Sequence, residues 1–172
     1  MFAQTISTIK KVLAREPLPS VWEVRLGCEK NPENYRLHLS TRGYDVGTGT
    51  AGWLLLEPEM LKHTGYSGIV VEALSGADLG LTTKEVTQQE LSVRARERGY
   101  KLCPLEVVVA FPCQHKLGDG RIYVSVESNE GCLAMFVIGQ DPFDGRKKIH
   151  GHLDIEDTDS YSRHQNFLFV RP

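Results

Sequence analysis

The stretch Leu102-Cys103-Pro104-Leu105-Glu106-Val107-Val108-Val109-Ala110-Phe111 decides how the second half of the chain is read. Three successive β-branched valines in a short apolar run favour a buried strand over residues 106–111. With that strand as the first, Arg121 to Val126, Leu133 to Ile138, Lys148 to Ile155 and Phe167 to Val170 read as four more. The links between them, such as Gly118-Asp119-Gly120 and Asn129-Glu130-Gly131, are short and turn-like. Short links join antiparallel neighbours, so the expectation is a meander of about five strands.

Upstream, helical signals are more frequent. Ile6, Ile9 and Leu13 share one helical face in Thr5 to Ala14, a segment closed by Pro17 and Pro19. Trp22, Val24 and Leu26 alternate with polar neighbours as a short strand does, ending near Gly27. Asn31-Pro32-Glu33 supplies an N-cap, a proline at the first helical position and an early acid, which opens a helix through Leu39 that stops at Gly43. Trp53 to Leu61 reads as a further short helix, and Ile69-Val70-Val71 as a strand. Thr87-Gln88-Gln89-Glu90 has the form of a capping box, and the helix it opens runs to Arg98 and stops at Gly99. The fold class expected is α+β, with helices mainly in the N-terminal half and a mostly antiparallel sheet in the C-terminal half. Residues 1–172 read as one domain; the alternative is a helical part over 1–67 and an α+β part over 68–172.

A chain of 172 residues is long enough to build a core without disulfide or metal staples. Its 20 basic and 22 acidic side chains nearly cancel, which removes any whole-protein attraction to nucleic acid or anionic lipid. The N-terminal residues lack the charge order and apolar core of a signal peptide, and no apolar run approaches the roughly 20 residues of a membrane span. Cys28, Cys103, Cys113 and Cys132 form no Cys-x-x-Cys pair, so free thiols in a reducing cytoplasm are expected.

Residues Ser75-Gly76-Ala77-Asp78-Leu79-Gly80, the spaced set Thr87, Glu90, Leu91, Arg94, Ala95 and Gly99, and Leu102-Cys103-Pro104-x-Glu106-Val107 carry a resemblance. Together with the terminal Asn166-Phe167-Leu168-Phe169-Val170-Arg171, they resemble a group of uncharacterised proteins from environmental bacteria. In that group a short helix leads into a Leu-Cys-Pro-x-Glu-Val segment, followed by strands and an aromatic C-terminal strand. The likeness covers about residues 69–172 and departs from the group's pattern at Val108-Val109-Ala110-Phe111. It implies a shared fold and brings no activity or catalytic residue with it.

Four motifs invite chemistry. Gly47-Thr48-Gly49-Thr50-Ala51-Gly52 matches G-x-G-x-x-G with Glu72 twenty residues on, but no buried strand precedes it, so a glycine turn is the plainer reading. His150-Gly151-His152-Leu153-Asp154 sets two imidazoles two apart on a strand, where both project from one face. With His115 these residues are the candidate ligands of a divalent metal such as zinc, against the plainer reading of a solvated strand face. Arg94, Arg96, Arg98 and Lys101 crowd one helix and its exit as a nucleic-acid contact would. The same residues also complement the helix dipole, and Arg94 can pair with Glu90 or Glu97. Glu106, leading into an apolar run, is expected to anchor a backbone amide or an arginine such as Arg94.

No complete catalytic or cofactor signature survives its context. The expected function is therefore a small cytoplasmic binding or regulatory module that needs no cofactor and no membrane, its partner another protein or an unidentified ligand. The first alternative is a metal-dependent hydrolase or metal-binding protein built on His150, His152 and Asp154 with His115. The second is nucleic-acid binding through the Arg94 to Lys101 helix.

Overall fold

The computed structural model describes residues 20–46, 67–118, 120–127, 133–152 and 159–172. Of the sequence readings, the first helix over Thr5 to Ala14, the glycine motif at 47–52, the helix at 53–61 and Asp154 lie outside them. The elements are β1 (Val21–Leu26), α1 (Pro32–Thr41), β2 (Tyr44–Val46), β3 (Ser67–Ser75), β4 (Glu85–Thr87), α2 (Gln88–Glu97) and α3 (Val107–Gln114), then β5 (Arg121–Glu127), β6 (Leu133–Gln140), β7 (Lys147–His152), β8 (Ser160–Ser162) and β9 (Asn166–Val170).

Local chemistry explains where the first two helices start. Asn31 accepts from the Glu33 amide at 3.0 Å, with Pro32 in the first turn. Thr87 and Glu90 complete a capping box: the Thr87 hydroxyl accepts from the Glu90 amide at 3.2 Å and the Glu90 carboxylate from the Thr87 amide at 2.8 Å. Gly43 and Gly99, with φ of 77° and 85°, supply the left-handed backbone just beyond each helix.

Seven strands form one sheet in the order β1-β3-β9-β5-β6-β7-β2, and β4 pairs with β8 in a separate ribbon. This corrects the expected fold in three respects. Residues 106–111 are not a strand, because α3 occupies this segment and residues Val107 to Pro112 are all buried. The valines favour β structure only where they half-cover a pleated surface; a helix apolar on every side is stable when enclosed, and burial of about 1.5–3 kcal/mol per large side chain outweighs their small helix penalty. The sheet is mixed and not a simple meander. Only β5, β6 and β7 run as consecutive antiparallel neighbours, while β9 lies parallel to β5 and β2 parallel to β7. Finally, the helices are not concentrated at the N-terminus: among the described residues there are three, and α2 and α3 lie beyond the midpoint.

The sheet separates two cores. On its first face α1 and α3 pack Tyr35, Leu39, Val108 and Phe111 against Val24, Val124, Phe136 and Leu168. On its second face α2 and the β4–β8 ribbon pack Leu91, Ala95, Val86 and Tyr161 against Met135, Phe167 and Phe169. Covering both faces explains why Phe167, Leu168 and Phe169 are all buried although neighbours on a strand point opposite ways.

Candidate functional site

Among the described residues the second face is only partly covered, and strand register shows which residues share it. Across β5, β6 and β7, Ser125 lies opposite Met135, Tyr123 opposite Val137, and Arg121 opposite Gly139. Val137 is in turn opposite His150, and Gly139 opposite Lys148. Partners in register share a face, so these residues form successive rows. Helix α2 closes the first row: Gln88 at its start donates to the Ser125 hydroxyl at 2.8 Å and to the Ala134 carbonyl at 3.2 Å. Beyond it the rows of Tyr123 and Arg121 lie in the floor of a groove with a cavity of about 400 Å³, within the range of small-molecule sites. A second hollow of about 630 Å³ adjoins it and shares Arg121, Tyr123, Gln140 and Asp141.

One wall of the groove is aromatic. The Tyr161 ring, brought over the sheet by β8, meets Tyr123 edge-on at 5.6 Å between centroids and Phe167 at 5.8 Å. Gln165 donates to the Tyr123 hydroxyl at 2.8 Å, which holds that ring in place. Burial, with the Asp159 charge nearby, pushes the Tyr161 hydroxyl up to about 12, so it remains a neutral donor at physiological pH.

The other wall is the turn from β6 to β7. Asp141 accepts from the Phe143 amide and Asp144 from the Arg146 amide, at 2.8 and 2.9 Å, as aspartates in tight turns do. Lys148 places its ammonium 3.0 Å from Asp141 and 2.6 Å from Asp144. The Phe143 amide first, and then Lys148, hold the Asp141 carboxyl down to about 2. His150 lies 3.7 Å from the same carboxylate. Phe143, 97% exposed, stands on this rim with its ring in solvent.

Arg121 differs from Lys148 in its environment. Its Nε donates to the Gln140 carbonyl at 3.0 Å, and no carboxylate pairs with it among the described residues.

The residues singled out from sequence are dispersed. His150 lines the groove, and His152 follows it on β7 opposite Met135. His115 is elsewhere: its ring Nε2 contacts the Glu23 carbonyl of β1 at 2.8 Å, and four strands separate β1 from β7, about 24 Å at the usual strand spacing. Among the described residues no three His, Cys, Asp or Glu side chains are grouped to hold a metal ion. On α2, Arg94 pairs with Glu97 at 3.0 Å and Arg98 donates to the Asp78 carbonyl. Lys101 is bridged to Val170 through its backbone, and Arg96 borders a shallow hollow beside it. Glu106 is fully buried on the first face, accepting from the Tyr35 hydroxyl at 2.6 Å and the Gly27 amide at 2.8 Å. It anchors a backbone amide, as the sequence suggests, and also a tyrosine hydroxyl, while Arg94 pairs with Glu97.

Sequence reasoning does not single out Arg121, Tyr123, Asp141, Lys148 or Tyr161. The one local signal was Asp141-Pro142-Phe143-Asp144-Gly145, a turn pattern with a large aromatic residue at its tip. No helix among the described residues is long and apolar enough to cross a membrane. Comparison with family models, with curated proteins and with solved structures returned no match.

Proposed function

We propose that this protein is a binding module that takes a small molecule in the groove over β5, β6 and β7. The observation that carries this reading is that, among the described residues, cover on the second face is interrupted between Gln88 and the Asp141–Arg146 turn. α2 and the β4–β8 ribbon cover the second face around β9 and the Ser125 row, whereas beside the turn Val137 and Tyr161 are only half-buried and leave apolar and aromatic surface that a ligand would cover. Aromatic floor and wall supply affinity, and a few polar groups on the rim supply orientation.

The test is a fragment screen read by amide chemical shifts of isotope-labelled protein. Fragments are expected to move the signals of Tyr123, Val137, Gly139 and Tyr161 together, and Tyr161→Ala to weaken them. Fragment shifts confined to other surfaces would overturn the reading. So would stoichiometric zinc, manganese or iron in tag-free protein that is lost in His152→Ala, because that outcome selects the metal-dependent alternative.

A further inference from the structure

We infer that the groove is selective for a carboxylate carried on a planar apolar body, with Arg121 as the residue that recognises the charge. This rests on the binding-module reading and specifies its ligand.

The charges around the cavity are unequal in availability. Lys148 lies against both Asp141 and Asp144, so its positive charge is already compensated. Asp141 is likewise engaged by Lys148 and by the Phe143 amide. Arg121 has only the neutral Gln140 carbonyl on its Nε, and no carboxylate pairs with it among the described residues. The two terminal nitrogens of a guanidinium present parallel N–H groups that match the two oxygens of a carboxylate. Arg121 borders both hollows, so a ligand in either reaches it.

The same geometry disfavours other charge types. A dianion such as a phosphate monoester would meet Asp141 and Asp159, which line the cavity, and Arg121 carries a single charge against its two. An ammonium ligand would be repelled by Arg121, and the amine probe below tests whether Asp159 outweighs that repulsion. The body of the ligand is set by Tyr123, Val137 and Tyr161, a hydrophobic floor with an aromatic wall, which suits a flat ring system.

The experiment uses three probes that share one ring and differ in charge: benzoate, benzyl alcohol and benzylamine. Each is titrated by NMR into the full chain and into Arg121→Gln, a substitution at an exposed strand end that retains a polar side chain. Benzoate is expected to bind about tenfold more tightly than benzyl alcohol, the ratio a charge-assisted hydrogen bond supplies. Arg121→Gln should abolish that preference and leave the alcohol unchanged, and added salt should weaken benzoate alone. If the alcohol or the amine moves the groove signals as strongly as benzoate, or if Arg121→Gln keeps the preference, the carboxylate assignment fails and the groove reading stands. If none of the three moves those signals at millimolar concentration, both fail.

Discussion

Gln114, at the end of α3, exchanges two hydrogen bonds with the backbone of Arg25 on β1. Its Oε1 accepts from the Arg25 amide at 2.9 Å and its Nε2 donates to the Arg25 carbonyl at 2.7 Å. A neighbouring strand would make this pair of bonds, and among the described residues β1 has no strand on that side. His115 extends the cover to the Glu23 carbonyl at 2.8 Å. Two side chains thus occupy the open edge that would otherwise accept another chain. The double variant Gln114→Ala/His115→Ala should lose about 1–2 kcal/mol in urea unfolding and associate with rising concentration in sedimentation. A variant that stays monomeric at every concentration would remove the edge-guarding role.

Glu106 joins three elements, because Tyr35 belongs to α1, Gly27 follows β1 and Glu106 itself precedes α3. Replacement by leucine leaves a buried hydroxyl and a partly buried amide without their acceptor. Glu106→Leu should cost about 3 kcal/mol in chemical denaturation, whereas Tyr35→Phe, which removes one donor and leaves the other, should cost about 1–2 kcal/mol. The two losses should not add, since both act on one carboxylate oxygen.

The Asp141 carboxyl is lowered from 3.8 to about 2 by the Phe143 amide, with Lys148 next. A depressed folded value means that this turn's stabilisation is complete above 3.8 and is lost as pH falls towards 2. Carboxyl titration by NMR should therefore give Asp141 a midpoint below that of an ordinary aspartate. Lys148→Ala should raise the midpoint part of the way, because the amide bond remains. A wild-type midpoint near 3.8 would show that the turn is not held as described.

Gly139 has a φ of 147° and sits beneath the groove opposite Arg121. A Cβ there would overlap the Gly120 carbonyl oxygen and stand 2.9 Å from the Arg121 Cα. Gly139→Ala should destabilise the fold by about 1–3 kcal/mol and broaden amide signals along β5. By contrast, Gly118→Ala meets nothing within 4 Å and should be close to neutral.

Residue order alone was sufficient where the governing chemistry acts over three or four positions. Asn31-Pro32-Glu33 and Thr87-x-x-Glu90 form the caps their side chains allow, and Trp22, Val24 and Leu26 alternate on β1 as an edge strand with one buried face requires. The Val107–Phe111 run reads as a strand but folds as a helix because a continuous apolar segment has no period, and burial from all sides suits a strand or an enclosed helix equally. Pro112 was the contrary signal, since a proline has no amide for a central strand.

The sequence by itself thus determined the caps, most strands and the near-neutral charge, all set by neighbours in the chain. Only tertiary structure decided that β9 enters between β3 and β5, that His115 and His150 lie far apart, and that Arg121, Tyr123 and Tyr161 share a groove. The reason is that hydrophobic burial has no direction of its own. Which face of a strand stays open depends on the helix or ribbon that packs over it, and that partner lies far away along the chain.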